Sequence, residues 1–274
     1  MKHPILRRIP GARQWIEKIE RLEGERDRLV RRLAKLNARL ESLPEIAPQL
    51  ARSEYKAVWR ELSKTSNSAK WHIGGVDEES WFEVTGLETK EALASTVGIH
   101  QNDTVVEIGC GVGRVGKQLA PLCRKWVGCD VSAHMLKLAA QRLKGLGDVE
   151  LREISGFDLQ PLANDSADVV YSTVVFMHLE EWDRYNYVLE AFRVLRPGGR
   201  IYVDNVNLCS DLGWEVFEMH RQIPSRERPL HITKHSTKGE LETYLERAGF
   251  SEIQSRESGQ FIQVWGMKRI ASSA

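Results

Sequence analysis

The sequence has few of the features that would place it outside an ordinary soluble domain. Its four cysteines, Cys110, Cys123, Cys129 and Cys209, form no C-x-x-C pair and show no metal-ligand spacing. Small buried thiols in a reducing cytoplasm are the ordinary reading. No apolar run approaches the roughly 20 residues that a helix needs to span a bilayer. The N-terminus, MKHPILRRIPGARQW, lacks the continuous apolar core of a signal peptide. Charge of one sign is also missing, because 39 basic and 38 acidic residues leave a net charge of +1. That balance exerts no global pull toward nucleic acid or anionic membrane. The histidines and carboxylates form no tight cluster, so no required metal is expected. A cytoplasmic protein without a nucleic-acid partner follows. Apolar residues are not scarce: at 42% of 274 they suffice for a full core.

Residues 12–43 differ from the rest. Trp15, Leu22, Leu29, Leu36 and Leu43 recur every seven residues, with Ile19, Arg26, Leu33 and Leu40 in the alternate slots. A seam of about four heptads with charged flanks predicts a coiled coil, and hence a homo-oligomer. One long amphipathic helix packed on its own domain is the alternative. Pro44 and Pro48 end the helix, since proline has no donor with which to continue it.

Three regions are expected: the coiled-coil helix at 1–48, a helical or lid segment at 49–95, and an α/β domain at 96–274 with an insertion at 207–237. In the third region short β-branched runs alternate with helical stretches. TVVEIG (104–109), KWVGCD (125–130), VELREI (149–154), ADVVYST (167–173) and RIYVDNV (200–206) read as strands. VGKQLAPLC, AHMLKLAAQRL, WDRYNYVLEAFRVL and KGELETYLERAGF read as helices. Such alternation predicts a doubly wound, mostly parallel sheet. SEIQSRES and FIQVWGMK, parted by Gly259 and Gln260, predict an antiparallel C-terminal hairpin.

The stretch VVEIGCGVGRVG carries two overlapping glycine patterns. Gly111, Gly113 and Gly116 spell the dinucleotide fingerprint G-x-G-x-x-G, while Glu107, Gly109, Gly111 and Gly113 spell E-x-G-x-G-x-G. In a dinucleotide site the first glycine closely follows the strand. The strand ends at Ile108, so counting begins at Gly109, and the third position of the fingerprint is then Arg114. Gly116 lies in the following helix, where packing explains it better. Glu107 would repel a pyrophosphate but suits an amino group or a cationic sulfur. Asp130, ending the second strand, can accept both ribose hydroxyls.

EIGCGVGRVGKQLA, VGCDVSAHMLKLAAQRL, DSADVVYSTVVFMHL and EAFRVLRPGGRIYVDN together resemble the class I S-adenosylmethionine-dependent methyltransferases, over roughly residues 75–268. The resemblance implies a seven-stranded sheet with a reversed last strand, S-adenosylmethionine as cofactor, and methyl transfer as the activity. It implies that Glu107, Gly109, Cys110, Gly111, Gly113 and Arg114 line the methionine and ribose part of the cofactor. Asp130 would hold the ribose, with Val131 and Met135 beside the adenine. Gly156, Phe157 and Asp158 match the loop that meets the adenine amino group, although Phe157 separates the glycine from the aspartate that the family often writes together. Thr173 would approach the methionine.

Methyl transfer mainly demands alignment of the nucleophile with the sulfonium, and a hydroxyl acceptor usually also needs a base. His178, just past the fourth strand, is either that base or a brace for its loop. Asp204 either orients an acceptor hydroxyl or caps the next segment. The insertion contributes His220, His231 and His235, any of which is structural or a base. Trp71 and Trp81 in WHIGGVDEESWFEVTG either cover the cofactor as a lid or pack into the core. The expected reaction is O-methylation of a sugar, saccharide or small natural product, with N-methylation of a small molecule or macromolecule as the alternative. A non-catalytic cofactor-binding scaffold assembled through the coiled coil is the alternative of another class.

Overall fold

The computed structural model describes residues 13–41, 51–65, 68 and 79–270. The chain divides into two compact units after Pro48. The first contributes α1 (Arg13–Glu41), a helix of 29 residues that carries Leu22, Leu29 and Leu33 exposed. Leu43, Trp71 and most of the loop expected at 65–75 lie outside the described residues.

The second unit begins with α2 (Tyr55–Leu62) and α3 (Glu79–Thr96). It continues as β1 (Thr104–Ile108), α4 (Gly116–Leu119), β2 (Lys125–Asp130), α5 (Ala133–Arg142), β3 (Val149–Glu153) and β4 (Ala167–Ser172). Then come α6 (Glu181–Val194), β5 (Leu195–Val206), α7 (Asp211–Arg221), α8 (Lys238–Ala248), β6 (Phe250–Ser258) and β7 (Phe261–Lys268). The seven strands run β3-β2-β1-β4-β5-β7-β6, and β7 is antiparallel to both its neighbours. The expected sheet and its reversed last strand are present.

Alternation along each strand builds the two layers, because successive side chains leave a sheet on opposite faces. Val106, Ile108, Val127, Val170, Ile201 and Val203 pack on one side, against α6 and α8 through Ala191, Val194, Leu241 and Leu245. Val105, Trp126, Val169, Tyr171 and Tyr202 face the other, with Leu93 of α3, Leu119 of α4 and Leu143. Every residue of β1 is buried, Glu107 among them. A carboxylate inside a strand covered on both faces is costly without partners, which makes it a functional marker.

Two boundaries and one helix differ from expectation. The helix expected from Val115 to Cys123 lasts only one turn before Ala120–Leu122 tighten into a 3₁₀ turn, because Pro121 cannot donate to a continuing helix. Strand β5 starts at Leu195, so the Pro-Gly-Gly turn lies within it as an irregularity opposite Ala167 and Val169, with Gly198 at φ +81°. The insertion after β5 contains a helix, α7, that its sequence does not announce.

Candidate functional site

Strand order reverses between β1 and β4, which follow adjacent paths to the carboxyl edge before their connections diverge to opposite sides. Open α/β sheets bind ligands at such a point. After β1 the chain turns through Gly109, Gly111 and Gly113, at φ +73°, +52° and +78°. Only glycine takes these conformations without strain. Gly116 has no positive φ; a Cβ there would meet the Trp126 ring at 2.5 Å, so that glycine serves packing. The backbone therefore separates the two glycine patterns as the strand register predicts.

Asp130 fastens this turn. Its carboxylate accepts the Gly111 N–H at 2.8 Å and the Ser132 N–H at 2.9 Å, one on each oxygen. Ser132 caps α5 by accepting from Met135 N at 3.3 Å. Glu107 accepts from the Tyr171 hydroxyl at 2.6 Å, and Tyr171 accepts from the Trp126 indole at 3.1 Å. Past β4, Val174 sits at φ +61°, a strained position for a β-branched residue. Its N–H is held by Asp204 at 2.7 Å.

These elements enclose a cleft of about 860 Å³, its open mouth included. From the glycine turn it takes Glu107, Gly109, Cys110, Gly111 and Arg114. From the end of β2 and α5 come Asp130, Val131 and Met135; Gly156, Thr173 and His178 complete the predicted set that reaches it. Gly113 turns away, where a Cβ would meet Leu143 at 3.1 Å. Phe157 is largely exposed and stands 5.4 Å from the Tyr55 ring, while Asp158 accepts the Gln160 N–H within its own turn at 3.1 Å. Neither lines the cleft in this structure, where Asp158 forms a turn.

Of the expected catalytic residues, only His178 lines the cleft. Its Nδ1 donates to the His231 carbonyl at 2.9 Å. The rings of His178 and His231 lie 6.5 Å apart, so His231 is beside the mouth. Asp204 is buried behind Val174, and His235 donates through Nε2 to the Gly213 carbonyl at 3.1 Å in a different cavity. In this structure both brace backbone, Asp204 at Val174 and His235 at Gly213. Trp81 of α3 is part-exposed and does not line the cleft.

Helix α2 also contributes to the cleft. Tyr55 and Trp59 line the cleft, as do Ile154, Val175, Leu179 and Tyr187. Tyr55 donates to Asp183 at 2.6 Å and accepts from Glu180 N at 2.9 Å. Trp59 meets the His178 ring edge-on at 5.0 Å. The i, i+4 spacing of Tyr55 and Trp59 in YKAVWREL is the signal that could have found them.

Burial dominates the electrostatics. It pushes the Glu107 carboxyl up to about 8, against the Tyr171 hydrogen bond and the Arg114 charge, which pull it down. Asp130 is raised to about 6 and Asp204 to about 7 by the same cause. Burial lowers Arg114, whose guanidinium donates to Thr85 O at 2.7 Å and Thr89 Oγ1 at 3.1 Å. Glu107 and Asp204 act on the part-buried Arg114 guanidinium, and with Asp130 these buried carboxylates favour a ligand that brings positive charge.

Comparison with known proteins agrees with this geometry. The methyltransferase-domain family matches residues 106–203. A probable S-adenosylmethionine-dependent methyltransferase of Mycolicibacterium smegmatis is 30% identical over 183 residues, covering 62% of this chain and 65% of that protein. Phosphoethanolamine N-methyltransferase 1 of Triticum aestivum is 26% identical over 188 residues, covering 68% of this chain. This chain spans only 36% of that relative's length. A SAM-dependent methyltransferase of Thermotoga maritima, described as a possible histamine N-methyltransferase, superposes with a TM-score of 0.56. It shares 22% identity, over 75% of this chain and all of that one, a likeness of fold. The methyltransferase domain and its fold imply S-adenosylmethionine as methyl donor. The residues present fit it: the cleft is acid-lined for a sulfonium and an ammonium, and the buried Thr173 Oγ1 has no hydrogen-bond partner among the described residues.

Proposed function

We propose that the chain methylates a hydroxyl of a small acceptor, a sugar, saccharide or natural product, with S-adenosylmethionine as donor. The observation that carries this reading is the acid-lined cleft with His178 at its mouth. When bound, the cofactor supplies a methyl group activated by its sulfonium. Asp130 would hold the ribose hydroxyls, and Val131 and Met135 would flank the adenine. Glu107 and Thr173 would take the methionine end, with Arg114 as the cation for its carboxylate. Tyr55 and Trp59 exclude water from above, and alignment supplies much of the rate.

His178 acts as the base. A carbonyl can only accept, so the bond to His231 O places the neutral ring's proton on Nδ1 and its lone pair on Nε2. Nε2 then takes the proton of the acceptor hydroxyl as its oxygen is methylated.

A second reading, an amine acceptor, draws on the N-methyltransferase names of the relatives. A neutral amine needs no base, so the His178→Gln variant separates the two. A hydroxyl acceptor predicts a kcat loss of about 10²–10⁴-fold with S-adenosylhomocysteine affinity kept; an amine predicts little change. The acceptor is found by labelled-methyl transfer in fractionated extract, with mass spectrometry of the product. Tight binding of NADH alone would sink the methyltransferase reading. Cofactor binding without any product, in an extract that supports turnover, would favour a scaffold assembled through α1.

A further inference from the structure

A second cavity, about 1400 Å³ with its open mouth, lies against α6, α7 and α8 on the same edge of the sheet. Its wall is rich in cations: Arg52, Arg184, Arg221, Arg228 and Lys234. Three carboxylates oppose them, Glu180, Glu181 and Glu240. Two of the three are already engaged, Glu240 by Arg184 at 2.9 Å and Glu180 by Lys234 at 3.0 Å. Arg221 pairs with Glu218 on its own helix. Arg228 donates to the carbonyls of Ile223 and Arg221 at 3.1 and 3.4 Å, neutral acceptors, and has no carboxylate partner among the described residues. Arg52 has no carboxylate partner among the described residues.

A further observation points to an absent anion. Lys234 is half-buried and lowered from its ordinary value, first by burial and also by the charges of Arg184 and Arg52. Cations crowded in this way gain from a shared acid. The cavity is also tied to the active-site turn. Lys234 donates through Nζ to the His178 carbonyl at 2.9 Å and through its backbone N–H to Met177 O at 2.7 Å. Buried Arg184 bolts the same stretch to α6, donating to the carbonyls of Lys234 and His235 and to Ser236 Oγ.

We propose that this cavity binds an acidic group, phosphate or carboxylate, of the acceptor that is methylated beside His178, with Arg52, Arg228 and Lys234 supplying the charge. The proposal rests on the methyl-transfer reading above and narrows its substrate class to anionic acceptors.

The test is calorimetric titration of inorganic phosphate and of succinate into the full chain saturated with S-adenosylhomocysteine, at constant ionic strength. At least one anion is expected to bind, and Arg52→Gln and Arg228→Gln are each expected to weaken it about tenfold, the scale of one charge-assisted hydrogen bond. S-Adenosylhomocysteine affinity in both variants should equal the wild-type value, which also reports that they fold. Preference for phosphate identifies a phosphorylated acceptor, and preference for succinate a carboxylate. If neither anion binds, or binding survives both substitutions, the proposal is overturned while the methyl-transfer reading stands. Failure of the protein to bind S-adenosylhomocysteine at all would overturn that reading instead.

Discussion

The Tyr171 hydroxyl donates to Glu107 across 2.6 Å, a side-chain bond between two residues that lie opposite each other in the paired strands β1 and β4. It is the main local force keeping Glu107 ionisable in surroundings that favour its protonated form.

Glu107 titrates near 4.5 ordinarily and at about 8 here. A carboxyl raised by folding stabilises the native state fully below about 4.5, and that contribution is lost as the pH rises through about 8. A cationic ligand prefers the carboxylate, so binding expels the proton. Calorimetry of S-adenosylmethionine binding at pH 7, in buffers of different ionisation enthalpy, is expected to show net proton release. The Glu107→Gln variant should release less, the remainder coming from Asp130, raised to about 6. Proton uptake by the wild type would contradict the assignment of Glu107 to the cationic end.

Tyr171→Phe removes the donor and leaves the Trp126 indole without its acceptor. Two buried polar groups then lack partners, so urea unfolding should show a loss of about 1–3 kcal/mol. Because the Tyr171 bond lowers the Glu107 value, the pH at which binding releases most protons should move up in this variant.

Gly111 and Gly116 give a cleaner contrast. Gly111→Ala strains a residue at φ +52° inside the turn that lines the cleft. S-Adenosylhomocysteine affinity should fall about tenfold, the equivalent of the 1–2 kcal/mol that a left-handed Cβ costs. Gly116→Ala drives a methyl group into the Trp126 ring and should destabilise by about 1–3 kcal/mol with affinity kept. Equal loss of affinity in both would restore the dinucleotide reading of the loop.

How far the sequence could be read follows from where the information lies. The strands carry alternation and β-branched residues, so KWVGCD is found at its observed limits and the order of glycines against Ile108 places the cofactor turn. Helix α7 was not legible because it buries only Gly213 and leaves Leu212, Trp214 and Met219 exposed, so no core-facing stripe marks it. Tyr55 and Trp59 of α2 line the cleft, and their part in it was not read from the sequence. Contacts across more than a hundred residues, such as Tyr55 with Asp183, leave no trace in local spacing. The strain at Val174 is equally invisible, since it depends on Asp204 thirty residues later.

That strain is itself testable. If Asp204 serves to hold Val174 at φ +61°, its carboxylate matters only while a side chain resists the conformation. Asp204→Ala should lower stability and methyl transfer, and Val174→Gly should relieve the need for the clamp. A double-mutant cycle of the two is expected to show coupling of about 0.5–3 kcal/mol in urea unfolding. A general base at Asp204 would give no such coupling, and Val174→Gly would not soften the loss of turnover.

Helix α1 presents Leu22, Leu29 and Leu33 to solvent at spacings of seven and four, the geometry of a coiled-coil seam. Arg26 occupies a seam slot and pairs with Asp27 at 2.7 Å rather than contributing apolar area, which weakens association. Sedimentation equilibrium is therefore expected to give a multiple of the 31.2 kDa chain mass. Leu22→Lys with Leu29→Lys places two like charges from each chain in the seam and should return the protein to monomers, with methyl transfer per chain unchanged. Arg26→Leu should move the equilibrium the other way. Monomers in the wild type, or a mass indifferent to all three substitutions, would mean that the leucine repeat serves some purpose other than self-association.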